Sequence, residues 1–182
     1  MDEELYRTYE EVMSPDLPTR IGALKRLEAL SREKKADGKA VTYLISALKD
    51  SEPEVRRKAS WTVGKLAQNK EDACWPLELL NVLLHDDDPE VRENAAWAIG
   101  ELAGMRIGVL SSIGHLDLLL GDANVTVRGM AAWALGRLAE RIGLGYSTSV
   151  EPLKTLLEDR SVLVRESAAY ALDRLRGIGV EE

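Results

Sequence analysis

The stretch at residues 86–103, DDDPEVRENAAWAIGELA, recurs along the chain and limits what the chain can fold into. Residues 50–67 read DSEPEVRRKASWTVGKLA, 122–139 read DANVTVRGMAAWALGRLA, and 159–176 read DRSVLVRESAAYALDRLR. A degenerate copy at 14–31 reads SPDLPTRIGALKRLEALS. The equivalent positions Thr19, Val55, Val91, Val127 and Val164 are spaced 36, 36, 36 and 37 residues apart. A fixed period of this size means stacked supersecondary units, each burying its apolar face against its neighbours. The expected organisation is one domain over residues 1–182, with units at about 1–34, 35–69, 70–104, 105–141 and 142–182.

Each unit resolves into two helices. The first shows apolar residues at i, i+3 and i+7: Val41, Leu44 and Leu48, then Leu77, Leu80 and Leu84, then Ile113, Leu116 and Leu120, then Val150, Leu153 and Leu157. Unit one is looser, with Leu5, Tyr9 and Val12. Pro76 and Pro152 are expected in the first turns of their helices, where a missing N–H costs little. A polar turn follows, and Pro53-Glu54 and Pro89-Glu90 then open the second helix, the acids complementing its dipole. In the second helix Val55, Ala59, Thr62, Val63 and Leu66 share one face, as do Val91, Ala95, Ala98, Ile99 and Leu102, and Val127, Ala131, Ala134, Leu135 and Leu138. Gly64, Gly100 and Gly136 lie inside these helices, where glycine costs roughly 1 kcal/mol against alanine. Its recurrence predicts close contact with the neighbouring unit.

Arg56, Arg92, Arg128 and Arg165 follow the marker valine, and Asp50, Asp86, Asp122 and Asp159 precede it by five residues. Arg20 holds the same place in unit one. The pattern predicts a structural Arg–Asp ladder, since a guanidinium fork binds carboxylate and carbonyl oxygens together; a stacked-arginine anion site is the other reading.

The repeated D-x-x-P-x-V-R-x-x-A-A-W-A-L-G-x-L-A resembles the HEAT-like repeat of the phycobilisome-lyase type, closely over units two to five and loosely over unit one. The resemblance implies an all-α fold: a right-handed α-α superhelix, or solenoid, of about five helix pairs, with second helices on the concave face and polar caps at both ends. Thr19, Lys25 and Glu28 in unit one depart from the pattern as a cap does, and Asp173 replaces the glycine in unit five. Function is not implied, because that family spans chromophore lyase subunits, a metal-dependent hydroxylase and many scaffolds.

Opposite the core, the second helices carry Trp61 with Arg57, Lys58 and Lys65, then Trp97 with Glu93 and Glu101, then Trp133 with Arg137, then Tyr170 with Glu166 and Arg174. Helices packed 8–10 Å apart would align these aromatics as a stripe of roughly 25–30 Å. Two readings stand: packing between repeats, or a recognition stripe for a helix or extended segment of another protein. Lys25, Arg32, Arg57, Lys58 and Lys65 predict a basic N-terminal end of the groove, suited to an acidic partner segment; a scattered, solvated charge pattern is the plainer alternative.

Reactive groups are sparse. His85 precedes three aspartates that read as helix caps rather than metal ligands, and His115 reads as an exposed histidine on a first helix. The hydroxylase branch holds iron with His-Glu pairs; this sequence has no His-Glu dipeptide. Cys74 reads as a partly buried thiol. Arg141-Ile-Gly-Leu-Gly-Tyr146 lacks the Lys-Ser/Thr ending of a phosphate loop. No catalytic residue, cofactor or metal is expected. The favoured function is a non-catalytic scaffold or adaptor that binds another protein. The second is a lyase-type or regulatory subunit acting with another chain on a chromophore- or cofactor-carrying protein. A third, nucleic-acid binding, is opposed by the net charge of −7 and by Glu93 and Glu101 in mid-groove. A single cysteine allows no internal disulfide and fits a reducing compartment. The acidic start MDEELYRTYEE is not a secretory signal, and no apolar run approaches the ~20 residues that span a bilayer. The expectation is a cytoplasmic protein, monomeric or weakly dimeric.

Overall fold

The structure is a computed structural model that describes residues 3–180. Regular structure among them is helical throughout: α1 (Glu3–Glu11), α2 (Leu17–Arg32), α3 (Ala40–Ala47), α4 (Pro53–Gln68), α5 (Leu77–Leu83), α6 (Pro89–Gly104), α7 (Ser111–Leu119), α8 (Val125–Ile142), α9 (Val150–Leu156) and α10 (Val162–Gly177), with a 3-10 turn at Ser147–Ser149 leading into α9. Odd-numbered helices are the first, even-numbered the second, of five pairs. The second helices of units two to five have 16 or 18 residues, against 7 to 9 for the first helices. The pairs stack as a right-handed α-α superhelix, second helices side by side along the concave face.

The apolar pattern explains the stack. Val55, Ala59, Val63 and Leu66, with Val91, Ala95, Ile99 and Leu102, are fully buried, and so are Leu44, Leu80, Leu116 and Leu153 from the first helices. Each such leucine contributes roughly 1.5–3 kcal/mol. Leu157 departs from this pattern: it lies past the last turn of α9 and is exposed. Pro53 and Pro89 take the first helical position, as the missing N–H allows. Pro76 caps α5 instead of entering it, while Pro152 lies in the first turn of α9. Each second helix ends on a left-handed residue: Lys34, Lys70, Arg106, Gly143 and Gly179, with φ of 56° to 78°. Only the last two are glycine, the residue that takes this conformation freely.

The helix-start turns are joined by arginines. Arg56 donates through Nη1 to the carbonyls of Asp50 (2.8 Å) and Ser51 (2.9 Å) in its own turn, and through Nε and Nη2 to Asp86 of the next (2.7 and 2.9 Å). Arg92 grips Asp122 (2.8 and 3.0 Å), Arg128 grips Asp159 (2.9 Å), and Arg20 meets Asp50 (2.8 Å). Each aspartate also accepts the N–H two residues on, from Glu52, Asp88, Asn124 or Ser161. That residue is the N-cap, so one carboxylate fixes both the helix start and the register between units.

Candidate functional site in the concave groove

The groove is built on the seams between second helices, and the interior glycines set how close those helices come. The Trp97 ring lies on Gly64 and the Trp133 ring on Gly100, so that a methyl group at either glycine would overlap the indole. On Gly136 it would stand 2.5 Å from Tyr170 Cε1. An aromatic ring from each unit thus closes over the glycine of the unit before. Unit one has Glu28 at that place, and Trp61 turns instead toward Trp97 (ring centroids 6.2 Å) beneath the Arg32 guanidinium (4.9 Å). All four aromatics are half-buried. Packing between repeats accounts for the contacts of Trp97, Trp133 and Tyr170 with the preceding glycines.

The residues four positions after each aromatic form a second row. Lys65 donates to Gln68 (2.5 Å), and Glu101 accepts the Trp97 indole N–H (3.2 Å). Arg137 covers Trp133 (5.4 Å) and donates to the Gly100 carbonyl (3.3 Å). Arg174 covers Tyr170 (5.4 Å), with Asp173 at 3.4 Å and Glu140 at 3.9 Å. Glu93 accepts the Thr126 hydroxyl (2.7 Å).

The N-terminal end of the groove is charge-balanced, not basic. Arg57 is held by Asp88 (2.9 and 2.5 Å) and lies 3.6 Å from Glu90, and Lys58 lies 3.6 Å from Glu28. Arg57, Lys58, Glu28 and Glu90, with Glu54, Arg32 and Trp61, line a cavity of about 400 Å³ in which three carboxylates face three cations. The Arg57 hydrogen bonds hold the Asp88 carboxyl below the usual carboxylate range, assisted by the N–H groups of Val91 and Glu90 that it caps.

His85 and His115, each read on its own from the sequence, are hydrogen-bonded ring to ring (2.7 Å), joining the turn after α5 to α7. Beside them Ser112 donates to Asn81 (2.7 Å). Asp117 accepts from Thr148 (3.3 Å); burial pushes its carboxyl up, opposed by the Ser149 and Thr148 hydroxyls. Cys74 is exposed, not partly buried. Among the described residues no three His, Cys, Asp or Glu side chains gather as a metal site, and no helix is long and apolar enough to cross a membrane.

A profile of HEAT repeats matches residues 44–113 and 114–181. No curated protein sequence matches the chain. Solved structures do. An engineered protein superposes with a TM-score of 0.75 at 21% identity, over 99% of this chain and 88% of its own. A designed armadillo repeat protein in complex with the peptide (KR)4 gives 0.71 at 23%, over 98% and 89%. The complex of CpcE and CpcF of phycocyanin lyase from Nostoc sp. PCC7120 gives 0.71 at 23%, over 96% of this chain and 67% of the matched one. At such identities the likeness is one of fold. With the two profile matches together covering well over half of its residues, on the same helix pairs that stack through the Arg–Asp ladder, the chain belongs to the HEAT repeat family.

Proposed function

We propose that this protein is a non-catalytic scaffold that holds a helix or an extended segment of another protein in its concave groove. The observation that carries the reading is the row of Trp61, Trp97, Trp133 and Tyr170. Trp97, Trp133 and Tyr170 are each anchored on a glycine of the unit before, all four rings keep part of their surface exposed, and each is bordered by a charged side chain that is itself positioned. Rigid aromatics with neighbouring arginines are the groups that dominate binding energy at protein interfaces. The balanced charge at the N-terminal end favours a segment of mixed charge over a purely acidic one. The complexed armadillo protein supports the reading by holding a peptide on a similar fold.

The test is selection of linear peptides from a display library on the intact protein, followed by NMR titration of the best binder. Three of the four indole N–H signals belong to the groove, and Trp75, which precedes α5, is the internal control. A binder should shift the signals of two or more of Trp61, Trp97 and Trp133 and leave Trp75 in place. Binders that move only Trp75, or no binder at all, would sink the reading. A chromophore that binds only when a second chain is added would favour the lyase-subunit alternative.

A further inference from the structure

The concave face changes chemistry along its length. The cavity beside Trp61 is walled by six charged side chains, Glu28, Arg32, Glu54, Arg57, Lys58 and Glu90. Two repeats further on, beside Trp133, the same six places hold Gly100, Gly104, Thr126, Gly129, Met130 and Leu163, and none is charged. Between them, beside Trp97, two carboxylates are left, Glu90 and Glu93. At the uncharged end the Trp133 indole closes over Gly100, and the Arg137 guanidinium lies where a Cβ on Gly104 would stand. Leu163 reaches across the seam from α10 to α8: its Cγ lies 3.8 Å from where a Cβ on Gly129 would be, yet the residue is 58% exposed. That exposure belongs to the place in the repeat and not to the last unit, because Glu54 and Glu90, with units stacked on both sides of theirs, are exposed as well. The charges that flank this end are engaged: Glu93 accepts the Thr126 hydroxyl, and Arg137 donates to the Gly100 carbonyl.

We infer that the groove is directional: it takes an extended segment of a partner protein with charged side chains at the Trp61 end and one bulky apolar side chain, a Leu, Ile, Met or Phe, at the Trp133 end, seated against Leu163, Met130 and the indole. The inference rests on the reading of the groove as a segment-binding site and specifies the segment. An apolar side chain in the cavity beside Trp61 would take water from six ions and return no hydrogen bond. A charged side chain against Leu163 would itself lose water to an aliphatic surface. The reversed placement is therefore opposed at both ends. Helices 8–10 Å apart set the two seats roughly 16–20 Å from each other. An extended chain that returns to the same face every third residue, at about 3.1 Å per residue, covers that span in about six residues.

The test selects linear peptides from a display library on the intact protein and, in parallel, on Leu163→Glu. The variant puts at this exposed helix start the same residue type as Glu54 and Glu90, so its Tm should match that of the wild type. Wild-type binders should share one bulky apolar residue about six positions from a charged one. They should bind Leu163→Glu roughly tenfold or more weakly, the worth of burying one such side chain. Replacing that residue of the peptide by serine should reduce the shift of the Trp133 indole signal and spare Trp61. On Leu163→Glu the same replacement should cost little, since the surface it meets is already gone. Binders that shift the groove indoles but share no apolar position, or that hold Leu163→Glu as tightly as the wild type, would overturn the directional inference and leave the groove reading standing. Peptides that shift Trp75 alone, or the absence of any binder, would remove both.

Discussion

The two layers of the solenoid are built on different terms. The second-helix layer repeats its contacts: an arginine reaches across to an aspartate at every seam, and an aromatic lies over a glycine at the three seams after the first. The first-helix layer has helices half as long, and each of its seams is different. Tyr9 bonds Asp37 and stacks on Tyr43 (5.5 Å) in the first, Asn81 and His85 meet Ser112 and His115 in the third, and Asp117 meets Thr148 in the last. Buried side-chain atoms without a hydrogen bond fall largely in this layer and its linkers, at Trp75 Nε1, Asp117 Oδ1 and Ser149 Oγ. The period of the sequence is thus carried by one layer, and the other is free to vary. Substitutions of the same type should act differently in the two.

The largest effect is expected at the ladder. Asp122→Ala removes a carboxylate whose side chain is 8% exposed and leaves Arg92 largely buried without its partner. Loss of one member of such a pair should cost about 3 kcal/mol in urea denaturation. A cost below about 1 kcal/mol would place the ladder with ordinary surface ion pairs. The next largest effect belongs to the seams. Gly100→Ala puts a methyl group into the Trp133 ring and should cost about 2 kcal/mol. The double variant with Trp133→Ala should be less destabilised than the sum of the two, because the overlap is gone. Additivity would mean that the ring and the glycine do not meet.

The second-helix layer was legible because both its core face and its glycines recur at one period; the notch that Gly64 makes for Trp97 follows from their shared spacing with Gly100 and Trp133. Pairing of charges across units was legible only at the ladder, yet the rule there reaches further. Arg56 meets the residue 30 positions on, Asp86. The same step links Glu28 to Lys58 and His85 to His115, and a step of 31 links Arg57 to Asp88 and Asp117 to Thr148. Applied to every charged position, that offset would have paired Arg57 and Lys58 at the N-terminal end of the groove and brought the histidines together. What no offset could supply is which side of each aromatic is covered. That depends on the distance between helices, which the glycines set only once the units are stacked.

The sign of a glycine substitution should reverse between the layers. Gly114 lies within α7, exposed, with nothing within 4 Å of where a Cβ would be. Gly114→Ala should therefore stabilise by about 0.5–1 kcal/mol, through the entropy of the unfolded chain and helix propensity. Thermal unfolding of the two alanine variants side by side gives a direct comparison; a loss of stability at Gly114 would show that the outer layer is as tightly specified as the inner.

The smallest effect concerns pH, where the layers should again oppose each other. In the second-helix layer the carboxyls of Asp88 and Asp159 are held below the usual range. The cause is the hydrogen bonds of Arg57 in the first case and, in the second, the Ser161 N–H followed by Arg128. Groups depressed in the folded state add stability above their unfolded pKa and lose it as pH falls through the folded one. Asp117, in the first-helix layer, is raised by burial against the opposing hydroxyls of Ser149 and Thr148. Its contribution has the opposite sign: it is full below the unfolded pKa and is lost as pH rises through the folded value. Asp117→Asn keeps the shape and one acceptor but cannot ionise. The variant should match the wild type near pH 4 and exceed it at pH 7, by a Tm difference of about 1–3 °C for a domain of this size. A difference that is constant across that range would assign the effect to hydrogen bonding by the amide, and one that grows toward low pH would mean that Asp117 is stabilised in its charged form, as Asp88 and Asp159 are.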